Sequence, residues 1–474
     1  MMKKMEYSPA GFSILLLLLS TCFLLLNVGA ATNYSSPCSS DFPLDDHPHL
    51  HRRNKRSGGF VLTLNHAHGP CSPINVTSSG ATILLHDVNR VDHLTSRLTS
   101  SDSRTHLHHH RLDVSSNGVQ VPLKSGASLG VGNYVTQIGL GTPTKDYTMV
   151  VDTGSSLTWL QCKPCTVSCY EQIGEVFDPK GSATYKSTKC SEPECTNLQK
   201  ATLNPSACSK LNNCIYEASY GDSSFSVGYL GKDTLSIQKK TVMSEFVYGC
   251  GQDNEGLFGK SAGLIGLAKN KLSMLGQISK TYGESFSYCL PTKSSSGYLS
   301  LGDSSTSSSK YTYTPMITDS QDDSLYFVKL VGITVARKSV SITASSYSSA
   351  STIIDSGTVI TRLPSVIFSA LNDSVVASLS KYPRAPAYSI LETCFKGSYK
   401  SLPVPPVSLI FDGKAEMKLS PQNVFYDLTS KSITCLAFAK SASVGIIGNQ
   451  QQQTFSVAYD VGRSRIGFAA GGCS

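Results

Sequence analysis

VVDTGSSLTWL, residues 150–160, decides how this chain reads, because a second, weaker copy, TIIDSGTVITRL, returns at residues 352–363. Each copy runs an apolar, β-branched strand straight into an aspartate, then Thr or Ser, then glycine. The strand fixes the carboxylate of Asp152 or Asp355, and Gly154 and Gly357 permit a tight turn that a Cβ would obstruct. Two such loops from two similar halves can face each other across an axis and bring their carboxylates together. That is an arrangement for acid–base chemistry on water. A second echo, SAGLIGLAKNKLSM (261–274) and SVGIIGNQQQQTF (443–455), gives each half an Asp loop followed by an apolar-apolar-Gly strand. One Asp-Ser/Thr-Gly is an ordinary turn sequence; two copies, each followed by its matched second motif, point to a duplicated site.

Outward from these loops the texture is that of an all-β protein, mainly β with a few short helices. From Val121 onward, short apolar or alternating runs such as GNYVTQIGLGTP, TLSIQ, FVYGC, YFVKLVGITV and FSVAYD are broken by Gly, Ser, Pro and Asn. The best helical signals are LSMLGQISKTYG after Lys271 and PSVIFSALNDSVVASLSKY after Leu363, the latter opened by Pro364. A chain of 474 residues suits two core-bearing halves, 125–305 and 306–474, plus processed ends. The Ser-rich stretch Ser294–Ser309 reads as an exposed link between them.

The first quarter differs. Lys3 and Lys4, the apolar run Phe12–Leu26 and the small residues Val28 to Ala31 read as a signal peptide over residues 1–30, with an uncleaved membrane anchor as the alternative. Residues 31–124 read as a removable prosegment, in which GFVLTLNHAHGPCSP is a strand able to pair with the body. All eleven histidines lie between His47 and His110. The body therefore holds no imidazole, which excludes Ser-His-Asp and Cys-His nucleophilic mechanisms there, and a His-ligated catalytic metal. His106, His108, His109 and His110 are candidates for a pH sensor that weakens docking as they charge, or simply belong to a polar tail. The run Arg52–Arg56 reads as a processing site, a nucleic-acid patch or a solvated charge run. The net charge of +8 comes with no dense basic stripe in the body, so nucleic acid is not an expected partner.

Taken in order, DTGSSLTW, YGDSS, DSGT and the two apolar-apolar-Gly repeats make the chain, over roughly Val121–Ser474, resemble the pepsin-like aspartic proteases, and among them the plant nepenthesin-like group. HGPCSP and the cysteine pattern resemble the subgroup that contains a chloroplast-nucleoid DNA-binding protease and secreted apoplastic relatives. The resemblance implies a bilobal pepsin-like acid protease fold with a cleft between homologous lobes. It implies a secreted endopeptidase, made as a zymogen and acting at acidic pH, monomeric, with no cofactor and no metal, whose partners are protein or peptide substrates and its own prosegment. Vacuole and plastid are the alternative compartments; a non-catalytic inhibitor on the same fold, or a protease with a DNA-binding role, are the alternative functions. Residue by residue, Asp152 and Asp355 match the catalytic pair, Thr153 and Ser356 the hydroxyls that lock the loops, and Ser155 and Thr358 the groups on the outer carboxylate oxygens. Tyr220 falls on the hairpin that closes over the cleft, and Trp159, the only Trp, matches the indole that holds that tyrosine.

Fifteen cysteines fit an oxidising compartment. Twelve lie in the body, an even number that allows complete pairing, although CKPCTVSC by spacing alone could also read as a zinc site. The resemblance implies the pairs Cys162–Cys165, Cys169–Cys250, Cys190–Cys214, Cys195–Cys208, Cys289–Cys473 and Cys394–Cys435. Glycosylation sequons stand at Asn33, Asn75 and Asn372.

Overall fold

The computed structural model describes residues 59–74, 80–99 and 134–473, apart from 221–223, 257, 307–309, 320, 344–345 and 348–350. The signal segment, the Arg52–Arg56 run, Asn33, Asn75 and the His106–His110 cluster lie outside the described residues.

The expectation of a mainly β, two-lobed fold holds, and the duplicated motifs explain how each lobe is built. The first elements are strand β1 (Phe60–His66), helix α1 (Gly80–Thr99), β2 (Tyr134–Leu140), β3 (Lys145–Asp152), β4 (Trp159–Gln161) and β5 (Gly263–Gly266). Strand β3 ends on Asp152 and runs parallel to β5, Met149 opposite Gly263 and Asp152 opposite Gly266, while β4 returns antiparallel to β5. Strands β6 (Ser351–Ile354), β7 (Thr361–Pro364) and β8 (Gly445–Ile447) repeat the plan: β6 is parallel to β8 with Thr352 opposite Gly445, and β7 returns antiparallel beside it. An Asp strand enclosed in this way is buried on both faces, so it reads as a continuous apolar run rather than an alternating one.

A further sheet ties the halves together. Strand Ser285–Cys289 pairs with Gly297–Leu301 on one side and with Phe455–Asp460, from the end of the chain, on the other. The reading of Ser294–Ser309 as an exposed link is therefore corrected: Gly297–Leu301 is a strand of this sheet, and Leu299 and Leu301 are fully buried. Low apolar content misleads here because two leucines on the buried face suffice for a short central strand. Strand β1 completes the sheet, with Phe60 opposite Leu301 and Leu64 opposite Gly297, before passing to β2 at His66 opposite Tyr134.

Both expected helices form, over Met274–Tyr282 and Ser365–Ser378. The first is capped by Ser273, whose Oγ accepts from Gly276 N at 3.1 Å. Helix α1 was not expected. Ile83, Leu84, Val91, Leu94 and Leu98 have helical spacing, but Asp87, Arg90 and Arg97 interrupt the same face and blur the pattern.

Six disulfides join the twelve body cysteines. Cys289–Cys473 and Cys394–Cys435 are as the resemblance implies, and the other four pairs differ. Cys162 bonds Cys250, because β4 runs parallel to strand Lys240–Glu255 with Leu160 opposite Cys250; this leaves Cys165 to close a short loop with Cys169. Cys214 starts the buried face of strand Cys214–Ser219 and meets the equally buried Cys195, while the less buried Cys190 bonds Cys208. The sulfurs of CKPCTVSC are thereby all in disulfides, which a thiolate zinc site would need free.

Candidate active site

The two Asp loops meet at the centre of the molecule with matched hydrogen bonding. Gly154 N donates to Asp152 Oδ1 at 3.0 Å, and Gly357 N to Asp355 Oδ1 at 3.2 Å. Ser155 Oγ donates to Asp152 Oδ2 and Thr358 Oγ1 to Asp355 Oδ2, each at 2.6 Å. Beneath the pair the loops cross-link: Ser356 N donates to Thr153 Oγ1 at 2.9 Å, Thr153 N to Ser356 Oγ at 3.3 Å, and the hydroxyls lie 3.2 Å apart. Every polar group of this grip is buried, where an unmade hydrogen bond costs about 1–3 kcal/mol. The glycines owe their place to close approach: a Cβ on Gly154 would come within 3.0 Å of Asp355 Oδ1.

Trp159 Nε1 donates to Tyr220 Oη at 2.7 Å, and the edges of both rings pack against Phe258. Tyr220 stands at the mouth of the hairpin formed by Cys214–Ser219 and Phe225–Ile237; the hairpin's tip lies outside the described residues. Asn372 is half-buried on helix Ser365–Ser378, where its Oδ1 accepts from the Thr393 hydroxyl.

The largest feature missed in the sequence is what covers the carboxylates. Helix α1 lies in the cleft and inserts Arg90, whose Nη2 reaches Asp152 Oδ1 at 2.5 Å and Asp355 Oδ1 at 2.9 Å while its Nε reaches Asp355 Oδ2 at 2.8 Å. Burial alone would raise Asp355, but the Arg90 guanidinium and the Thr358 and Gly357 donors outweigh it and hold the carboxyl below its ordinary range. Burial likewise disfavours the Arg90 cation, and Asp152 and Asp355 outweigh it, raising Arg90 further.

Two more ionic contacts anchor the helix. Asp87 accepts from Val359 N and Ile360 N and pairs with Arg362 at 2.8 Å; Arg97 bonds Asp322, Ser324 Oγ and Gly154 O. Leu84, Val91 and Leu94 are buried between them, each contributing about 1.5–3 kcal/mol to docking by loss of apolar surface. A cavity of about 70 Å³ is left among Arg90, Asp152, Tyr220 and Phe258, too small for a peptide. The sequence holds one trace of these residues: charges at 87, 90 and 97 fall on the face that carries Leu84, Val91 and Leu94, a pattern that names no partner by itself.

A two-lobed, mainly β body with one Asp loop from each lobe, gripped together by Thr153 and Ser356, defines the pepsin-like class. Residues 134–303 match the family model described as xylanase inhibitor N-terminal, and residues 325–470 the one described as xylanase inhibitor C-terminal. An aspartyl protease family protein of Arabidopsis thaliana is 40% identical over 422 residues, 87% of each chain. The aspartic proteinase nepenthesin-2 of Nepenthes gracilis is 32% identical over 372 residues, 76% of this chain and 81% of its own. Among solved structures, basic 7S globulin from soybean superposes with a TM-score of 0.57 at 21% identity, covering 72% of this chain and 93% of that one, a likeness of fold. The chain belongs to the pepsin-like aspartic protease family.

Proposed function

We propose that the protein is the latent form of a secreted, monomeric aspartic endopeptidase that hydrolyses peptide bonds at acidic pH. The observation that carries this reading is the matched set of donors on Asp152 and Asp355, each complete in a buried site. Once Arg90 is withdrawn, two carboxylates so close cannot both ionise cheaply and share a proton, an effect for which aspartic proteases are the standing example. The ionised member then takes a proton from a water that attacks the substrate carbonyl, and the protonated member stabilises the developing oxyanion. No residue forms a covalent intermediate, and no metal or other cofactor takes part.

Latency follows from helix α1 as the prosegment. Arg90 neutralises the pair and fills the place of the attacking water, and α1 fills the place of the peptide. Acid loosens this docking by two routes. Asp355, held below its ordinary range, contributes docking energy above the free carboxyl pKa and loses it as pH falls through the docked value. Two histidines act in the same direction: burial, His68 and Lys293 lower His66 to about 3, and burial, Arg97 and Arg90 lower His93 to about 4 against the opposing pull of Asp322. Both are neutral when docked, so docking weakens as pH drops below their free value of about 6.5.

The second reading, a non-catalytic binding protein, draws on the description of the matched family models; the intact Asp loops favour catalysis. Nucleic acid is not part of the proposal. The test is digestion of a denatured protein between about pH 3 and pH 6 with pepstatin and Asp152→Asn as controls. Acid-dependent cleavage that both controls abolish is expected; cleavage undiminished in the variant would sink the assignment.

A further inference from the structure

The helix that closes the cleft also reveals a binding position that the hydrolytic step does not use. Three consecutive backbone N–H groups after the second Asp loop point toward the cleft. Thr358 N donates to Asp355 Oδ2 at 2.8 Å, and the next two, Val359 N and Ile360 N, donate to Asp87 of α1. Arg362 completes the pocket: its Nη1 is held by Ile360 O at 2.7 Å, and its Nη2 lies 2.8 Å from Asp87 Oδ2. Asp87 is 2% exposed and Arg362 3%. Among the described residues, Asp87 is the only carboxylate within ion-pair distance of Arg362, and it belongs to the segment that must leave.

We propose that the Val359–Ile360–Arg362 pocket is a substrate subsite for an acidic side chain, Asp or Glu, and that Asp87 occupies it in the latent chain as a substrate mimic. This rests on the peptidase reading and names its substrate class. When α1 withdraws, two converging N–H groups and a guanidinium fixed by Ile360 O lose their anion together. A peptide that brings a carboxylate back to these donors regains the charge-assisted contacts that Asp87 made, and so gains over one that does not. The geometry favours a carboxylate over a neutral acceptor, because two N–H groups and a guanidinium converge on the two oxygens of one group. Asp87 precedes Arg90 by one helical turn, so the subsite lies within about three residues of the scissile bond of an extended peptide.

The test uses the full chain, acid-treated to release α1, with peptides capped at both ends so that an internal side chain supplies the only carboxylate. Peptides carrying Glu, or Gln in its place, at each of the three residues flanking the scissile bond are compared for kcat/KM and, with Asp152→Asn, for binding by fluorescence anisotropy. At one position Glu is expected to exceed Gln by about tenfold near pH 5, and the ratio to shrink toward one near pH 3, where the substrate carboxyl protonates. In Arg362→Gln the ratio falls toward one at both pH values, and Arg362→Lys keeps part of it. Glu and Gln peptides that bind and react alike at every position would overturn the proposal. If neither is cut but Glu binds more tightly, the peptidase reading fails and the subsite stands.

Discussion

The two Asp loops share a glycine N–H and a hydroxyl donor on their carboxylates, Asp355 taking Thr358 N and Thr153 Oγ1 in addition, and they are braced in different ways. In the first half the apolar-apolar-Gly strand continues into Leu267 and Ala268, whose backbone N–H groups donate to Asp152 O at 2.9 Å and Ser155 O at 3.0 Å. In the second half the corresponding strand runs into Asn449, Gln451 and Gln452, all buried. Gln452 Nε2 donates to Asp355 O and Ile447 O, Asn449 Nδ2 to Ser356 O, and Gln451 Oε1 accepts from Thr361 Oγ1. What faces the reacting atoms is conserved between the copies, while what supports it from behind is not. Helix α1 also treats the copies unequally: Arg90 is shared between them, whereas Asp87 rests only on the second loop.

If the matched carboxylates form one catalytic unit, the difference in bracing has no bearing on the chemistry. Asp152→Asn and Asp355→Asn should then each lower peptide hydrolysis by at least about ten-thousandfold with native circular dichroism retained. Substantial activity in either would show the copies to be chemically unequal. Next in size is the shared latch. Arg90→Gln in the full chain leaves two buried carboxylates without their cation, at a cost of about 3–5 kcal/mol to the docked state. The variant should cleave a reporter peptide near pH 6 without prior acid treatment; latency as firm as that of the parent would show that Arg90 is not the latch.

The bracing itself is tested by stability. Gln452→Ala removes donors to two buried carbonyls and should lower the unfolding free energy by about 1–3 kcal/mol, read from the urea midpoint. In the first half the aligned residue, Asn270, turns its amide to Lys200 O and Leu272 N instead, and Asp152 and Ser155 are braced by the main-chain N–H groups of Leu267 and Ala268, which side-chain truncation leaves in place. A Gln452→Ala midpoint equal to that of the parent would mean that the polar bracing is redundant.

The fold was legible because a duplicated motif states its own architecture. Strand, Asp, glycine and a second apolar-apolar-Gly strand occur twice, and each pair forms the same parallel contact, at Val151–Ile265 and at Ile354–Ile447. Asp152, Asp355, Thr153 and Ser356 could be picked out because they lie within those motifs, whereas Trp159 and Tyr220 were marked by the family resemblance. Arg90, Asp87 and Arg97 could not, because each acts on a residue far away in the chain, and a charge on an apolar helical face reads as a flaw until its partner is known. The cysteine pairs failed for the same reason. Which of Cys195 and Cys190 meets Cys214 depends on which way a strand faces, and spacing carries no record of that.

The smallest effect concerns the histidines, and it separates two accounts of how acid releases the helix. The His106–His110 cluster was the candidate sensor in the sequence, whereas His93 sits on α1 itself, facing Arg90, Arg97 and Asp322. Burial first, then the two arginines, lower it to about 4, so it is neutral while docked and charged when free over the interval from about pH 6.5 down to 4. Its neutral form thus sustains docking fully above that interval, and docking weakens progressively on the way down through it. His93→Gln removes the charge without removing the polar side chain, so the midpoint of latency loss should move to lower pH, by about half a unit given the carboxylates that titrate alongside. Monitoring reporter cleavage after brief incubation at stepped pH measures the shift. An unchanged midpoint, with His106, His108, His109 and His110 changed together to Gln moving it instead, would return the sensor to the cluster and leave α1 released by the carboxylates alone.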